Sequence, residues 1–220
     1  MEIQIKETPR ILPKKLRTLS LPYFDKLSYY FINWKISPNM LSIIGLITGL
    51  GAGLLFFLNK PFWAGMAIIL CGIFDILDGK VAAHTNKRSL YGSIFDSSLD
   101  RYSEFFIYLG LAIRFRNSWV LWIIFFTFLG STMVSYTRAR AEGLGIECNV
   151  GLMQRAERVI FLSAGAIIGF LFKIFNPSMI TVLTIIALFS NITAIQRVLY
   201  VRKVEKQKNL KKEVSSYGQN

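Results

Sequence analysis

The sequence predicts an all-α integral membrane protein, with six transmembrane helices preceded by an N-terminal amphipathic interfacial helix. Three observations lead there. Hydrophobic residues make up 53% of the 220-residue chain, and the windows 41–58, 61–74, 119–136, 159–172 and 178–196 contain no charged residue. Such windows, some extended by a few polar residues at one end, suit helices that cross a bilayer. A sixth segment, from about Gly92 to Ile113, is polar in its first half and apolar (FFIYLGLAI) in its second.

The third observation is where the charge lies. The formal net charge is +13. Lys6, Arg10, Lys14, Lys15, Arg17, Lys26 and Lys35 precede the first span, and Lys80, Lys87 and Arg88 lie between the second and third. Arg138, Arg140, Arg155 and Arg158 surround the junction of the fourth and fifth. Arg197, Arg202, Lys203, Lys206, Lys208, Lys211 and Lys212 end the sixth or follow it. The alternate connections hold only Lys60, Arg114, Arg116 and Lys173. Basic residues accumulate on the cytoplasmic side, so a multi-pass cell-membrane protein with both termini in the cytoplasm is expected. Topology accounts for much of the basic excess, and no nucleic-acid partner is expected. The charged N-terminus lacks the apolar stretch of a cleavable signal peptide. Cys71 and Cys148 have no paired spacing, so neither a disulfide nor a zinc site is expected.

Taken in order, residues 1–37 form a cytoplasmic arm and an interfacial helix, 38–201 the six-helix membrane domain, and 202–220 a basic tail beside anionic headgroups. Residues 1–20 read as an extended or partly ordered arm. Residues 22–35 (PYFDKLSYYFINWK) are too short and too charged to span, and suit a helix lying in the interface. Pro38 opens the first span at a position where proline costs a helix little. Gly45, Gly49 and Gly53 form a four-residue stripe that lets helices approach closely. Pro177 starts the last span.

The stretch DILDGKVAAHTNKRSLYGSIFDSSLD, residues 75–100, sets four carboxylates at the edge of two apolar segments. On helices, Asp75 and Asp78 are about 60° and 4.5 Å apart, and Asp96 and Asp100 about 40° and 6 Å. Two antiparallel helices joined by a polar loop at Ala83–Tyr91 would turn these faces toward one point. An aspartate deep in a span costs about 2.5–3.5 kcal/mol; near the edge it costs less, but four repel one another. Lys80, Lys87, Arg88 and Arg101 could pair with them as interface salt bridges. Alternatively, two divalent ions would balance a formal charge of about −4, and oxygen-only donors favour Mg²⁺, Mn²⁺ or Ca²⁺ over zinc.

The pattern Asp-x-x-Asp-Gly-x-x-Ala…Gly-x-x-x-Asp-x-x-x-Asp is carried by Asp75, Asp78, Gly79, Ala82, Gly92, Asp96 and Asp100. It resembles the signature of the CDP-alcohol phosphotransferases. Pro38-Asn39 with Ser42 resembles the motif that opens the first span in many members. The likeness extends over most of the chain: interfacial helix, six spans, and the signature across spans 2 and 3. One position departs. Ala83 stands where the family usually has an arginine near the donor diphosphate, and Lys80, Lys87 or Arg88 could replace it.

The resemblance implies an enzyme that transfers a substituted phosphate from a CDP-linked lipid to an alcohol and releases CMP. It implies Asp75, Asp78 and Asp96 as ligands of Mg²⁺, with Mn²⁺ as a substitute. Asp100 would complete a second metal site and take the proton of the acceptor hydroxyl. Asn39, Ser42, Asp75, Gly79, Ala82, Lys87, Arg88 and Gly92 would surround the CDP group. The segments Arg-Ala-Arg-Ala-Glu and Gly-Leu-x-x-Arg-x-Glu-Arg look similar to those of prokaryotic members that use inositol phosphate. There the acceptor phosphate would meet Arg138, Arg158 and Arg197, with Arg155 as a second candidate; arginine forks suit phosphate. Against this stand ordinary cytoplasmic-side charge and local pairing with Glu142 and Glu157. The family also implies a homodimer. Glycerol 3-phosphate or another alcohol is the alternative acceptor. A cation-coupled transporter is the alternative of another class, disfavoured because the chain has no internal repeat and the aspartates lie away from the midplane. His84, in the predicted loop, is read as solvated.

Overall fold

A computed structural model describes residues 14–217, with side chains for 22–209. Residues 1–13 and the last three residues of the expected tail lie outside the described residues. All described secondary structure is α-helical: α1 (Lys14–Asn33), α2 (Pro38–Phe57), α3 (Pro61–His84), α4 (Leu90–Arg114), α5 (Val120–Gly143), α6 (Arg155–Leu171) and α7 (Phe175–Tyr217). Three of them, α2, α5 and α7, are long and apolar enough to cross a membrane by length and composition alone. The polar ends of α3 and α4 dilute their apolar parts, and α6 has only 17 residues.

Helices α2–α7 close into a ring through the pairings α2–α3, α3–α6, α6–α7, α7–α5, α5–α4 and α4–α2, and α1 lies against α3. The interior of the ring is filled by Phe56, Ile68, Leu111, Ile124, Met153, Met179 and Leu183, all essentially inaccessible. Its outside is apolar as well. Trp122, Phe125, Phe126 and Leu129 of α5 and Ile47, Leu50 and Leu54 of α2 are exposed, as a lipid-facing surface requires.

Ser37 caps α2, its hydroxyl accepting from the Met40 amide, and Pro38 follows at the first helical position. The glycine stripe works inside the bundle. A Cβ on Gly53 would lie 2.2 Å from the Phe106 carbonyl oxygen, and one on Gly110 would lie 2.0 Å from that of Gly53. Helices α2 and α4 therefore meet backbone to backbone.

Several boundaries differ from the sequence expectation. Helix α1 starts at Lys14, so residues 14–20 are helical rather than extended. The polar connection is shorter than Ala83–Tyr91, because α3 runs to His84 and α4 starts at Leu90 under a Ser89 cap. His84 is therefore helical. Helix α7 starts at Phe175, two residues before Pro177, and continues through Tyr217. Charge marks where a helix leaves an apolar environment, not where it ends.

Candidate functional site

The C-terminal half of α3, the first half of α4 and the start of α6 meet at one end of the ring. There Asp75, Asp96 and Asp100 bring one carboxylate oxygen each within 4.8 Å of one another. The helical spacing does this: residues 96 and 100 share a face of α4, and that face is held toward α3 by the glycine contact with α2. Asp78 is buried just beside the cluster and accepts a 2.6 Å hydrogen bond from the Ser42 hydroxyl of α2. It also faces Asp96. Four hard oxygen donors with no cysteine or histidine among them fit a divalent cation such as Mg²⁺ or Mn²⁺.

The expected nucleotide contacts divide. Ser42 sits on Asp78, and Asn39 Oδ1 lies 3.7 Å from where a Cβ of Gly92 would be. Gly79 is exposed, and nothing lies within 4 Å of where its Cβ would be. Ala82 is half-buried, while Lys87 and Arg88 are exposed in the connection and have no ion-pair partner among the described residues. Lys80 pairs instead with Asp25 of α1, which His84 also approaches at 3.3 Å. Tyr29 packs against His84 at a tilt, with ring centroids 5.1 Å apart. The Lys80 ammonium holds the Asp25 carboxyl below the usual carboxylate range.

The arginines divide too. Arg155, first residue of α6, donates from Nε to Asp75 at 3.2 Å and lies 2.5 Å from Asp100 through Nη2. It sits on the carboxylate cluster. Arg158, one turn on, is buried and grips both oxygens of Glu104, at 2.8 and 3.4 Å; its Nη1 has no hydrogen-bond partner among the described residues. Arg197 is equally buried and donates to the backbone carbonyls of Val150 (2.9 Å) and Val134. Arg138 is exposed and pairs with Glu142 one turn ahead, at 2.8 Å. Arg138 and Arg158 both act on Arg197 by charge, so the three share a neighbourhood without sharing a partner. Glu157 is buried at the start of α6, where it accepts from the Gln154 amide.

The loop 144–154 positions Arg155. The amides of Leu152 and Met153 both donate to the Thr193 hydroxyl, and Arg197 holds Val150. Gly151 has φ +123, and a Cβ there would lie 2.2 Å from Thr193 Cγ2, so only glycine fits.

Glu104 was absent from the sequence expectation, which named Arg101 only as a salt-bridge partner of the aspartates. Glu104 continues the α4 face of Asp96 and Asp100 by four more residues, and that interval was the available signal. Arg101 approaches Asp100 at 3.6 Å and also reaches Ser135 of α5. Five carboxylates (Asp75, Asp78, Asp96, Asp100 and Glu104) thus face three guanidiniums (Arg101, Arg155 and Arg158), a formal excess of negative charge that a divalent cation would offset. Cys71 and Cys148 are free and buried.

An all-helical bundle with an apolar outside, an oxygen-donor cluster at one end and arginines around it suits a bilayer enzyme that uses a divalent cation on a phosphate-bearing substrate. More narrowly, the chain belongs to the CDP-alcohol phosphatidyltransferase family, which it matches over residues 35–193. It is 38% identical over 169 residues to the archaetidylinositol phosphate synthase of Pyrococcus horikoshii, covering 76% of this chain and 85% of the relative. It is 32% identical over 171 residues to the phosphatidylinositol phosphate synthase of Mycobacteroides abscessus, covering 76% and 77%. Among solved structures, the phosphatidylinositol phosphate synthase of Mycobacterium tuberculosis with CDP-DAG bound superposes with a TM-score of 0.72 at 26% identity, covering 81% of this chain and 92% of that one. The same enzyme has been solved with manganese and citrate, again with a TM-score of 0.72.

Proposed function

We propose that this enzyme transfers the lipid phosphate of a CDP-linked lipid to the hydroxyl of inositol phosphate, releasing CMP and leaving a phosphoinositol phosphate lipid. The observation that carries this is the convergence of Asp75, Asp96 and Asp100 beside the open face of Gly79, within a family of CDP-alcohol transferases. The inositol phosphate acceptor rests on the named relatives. Helices α2–α7 serve as six spans, α1 lies in the interface, and both termini and the site face the cytoplasm, which agrees with the basic charge at that end.

Asp75, Asp78 and Asp96 would hold a divalent ion, and Asp100 would complete a second position. Bound there, such ions offset the charge that develops on the diphosphate as its bridge breaks. The residues of the chain do the rest. Gly79 and Gly92 let the nucleotide approach the helix backbone, and Asn39 and Ser42 line the same end of α2. The acceptor oxygen forms a bond to the lipid phosphorus, the bond to the CMP oxygen breaks, and the hydroxyl proton passes to Asp100. No covalent enzyme intermediate is required. The unpartnered Nη1 of buried Arg158 is a donor in want of an acceptor, which a phosphate would supply.

The test is CMP release by the purified protein in detergent, from diacyl and ether-linked CDP lipids, offered inositol phosphate, glycerol 3-phosphate or free inositol. Inositol phosphate is expected to be the best acceptor. A preference for glycerol 3-phosphate or for unphosphorylated inositol would overturn the assignment.

A further inference from the structure

Arg155 reaches from the first turn of α6 across to two other helices. Its Nε lies 3.2 Å from Asp75 Oδ2 on α3, and its Nη2 lies 2.5 Å from Asp100 Oδ1 on α4. Those two residues supply oxygens to the cluster that Asp96 completes. A guanidinium bridging two carboxylates and a metal ion ligated by them draw on the same negative charge and crowd the same oxygens, so each weakens the hold of the other. A cavity of about 30 Å³ lies directly inward between α3, α4 and α6, lined by Arg155, Arg158, Glu104, Cys71 and Ser103 among others. Glu104 already feels the charge of Arg155, and so offers a second carboxylate one turn deeper. Loop 144–154 is pinned to α7, so the movement required is of the side chain, not of the helix start.

We propose that Arg155 is an internal counter-cation of the metal site: guanidinium and divalent ion compete for Asp75 and Asp100, so that metal binding and release of Arg155 are one coupled step. The proposal rests on the assignment of these aspartates as metal ligands. It goes beyond that assignment by giving Arg155 a task before any substrate arrives. The arm keeps the carboxylates from repelling one another and lowers the apparent affinity for metal. Once displaced, it turns toward Glu104 and leaves Asp75 and Asp100 open to the ion.

The experiment measures Mn²⁺ affinity without substrates, by the loss of the free-ion paramagnetic resonance signal, in wild type, Arg155→Gln, Arg155→Lys and Arg101→Gln. Arg155→Gln removes the competitor and should bind Mn²⁺ about ten- to a hundredfold more tightly. Arg155→Lys keeps the charge but cannot bridge both carboxylates, and should fall between. Arg101→Gln removes a neighbouring charge that approaches Asp100 but none of the other three aspartates, so it should change affinity much less than Arg155→Gln. Equal or weaker binding in Arg155→Gln overturns the proposal, as does an equal gain in Arg101→Gln, which would mean general electrostatics rather than competition. A thermal melt gives a second reading: Mn²⁺ should raise the melting temperature of Arg155→Gln in excess of its effect on wild type. Should Arg155→Gln not fold, Arg155→Lys decides alone, and unchanged affinity there overturns the idea. No binding of Mn²⁺ by wild type would remove the metal assignment itself, and this proposal with it; normal wild-type binding with unaltered variants would remove only this proposal.

Discussion

Arg158 and Glu104 form a two-pronged pair, 2.8 and 3.4 Å, one helical turn deeper in the bundle than Asp100. The arginine side chain is 2% exposed and that of the glutamate 13%, so the pair is largely shielded from water. Removing one partner from a buried pair is costly because the other stays behind uncompensated. Glu104→Ala should therefore lose about 3–5 kcal/mol of stability. The double change Glu104→Leu with Arg158→Met should be less damaging than Glu104→Ala. Unfolding in denaturant measures both. A double variant as unstable as the sum of its parts would mean that the pair does not act as a unit.

Metal removal is the second expectation. Five carboxylates against three guanidiniums leave the site formally negative, and the oxygen donors are hard. Purified protein should lose transfer activity in EDTA and regain it with Mg²⁺ or Mn²⁺ but not with an equal concentration of Na⁺. Full activity in the chelator would refute a metal requirement.

The aspartates were legible because a helix converts a spacing of three or four residues into a shared face; the same interval reaches Glu104, which the four-aspartate pattern left out. Contacts across long separations were not legible. Asp25 and Lys80 are 55 residues apart, and nothing local announces that α1 lies on α3. Arg155 reads in sequence like its neighbour Arg158. Only the loop before it, held by Thr193 and Arg197, decides that one faces the aspartates and the other Glu104. The glycine stripe was readable as a close-approach surface, but its partner, α4, was not.

That stripe supports a third prediction. Gly53→Ala or Gly110→Ala forces a methyl into a facing backbone carbonyl, which no rotamer change relieves. Each should destabilise the protein by about 1–3 kcal/mol or more. Gly51, in the same helix, has nothing within 4 Å of its Cβ position, so Gly51→Ala should be neutral or mildly stabilising. Equal effects at residues 51 and 53 would mean that α2 and α4 are not in backbone contact.

The Asp25–Lys80 pair makes a fourth. Asp25→Asn should loosen α1, seen as faster amide exchange across residues 22–33 with α2 unaffected. The sign of the pH effect follows from the lowered Asp25 value. The contact is fully present above the unfolded carboxyl range near pH 4 and is lost as pH falls through the lowered folded value, at about one proton. Unchanged protection in Asp25→Asn would show that apolar contacts alone hold the helix.

The three arginines near the proposed acceptor position should not respond alike, because their present partners differ. Arg138 is exposed and paired only with Glu142, so Arg138→Gln has little structure to lose. If it contacts the acceptor phosphate, the acceptor KM should rise about tenfold, with the CDP-lipid KM and the melting temperature nearly unchanged. Arg197 holds two backbone carbonyls, one of them in the loop that presents Arg155. Its removal strands those carbonyls, so Arg197→Gln should lower stability by about 1–3 kcal/mol and disturb donor and acceptor constants together. Arg158 lies between these cases. Arg158→Lys keeps a charge against Glu104 but loses the fork, and should raise the acceptor KM more than it lowers stability. Arg140, exposed and in the same turn as Arg138, is the control and should change nothing. Kinetics with inositol phosphate, together with a thermal melt of each variant, separate the outcomes. A rise in acceptor KM confined to Arg158 and Arg138 supports a phosphate pocket at this end of the ring. An equal loss at Arg140 would reduce the whole cluster to cytoplasmic-side charge.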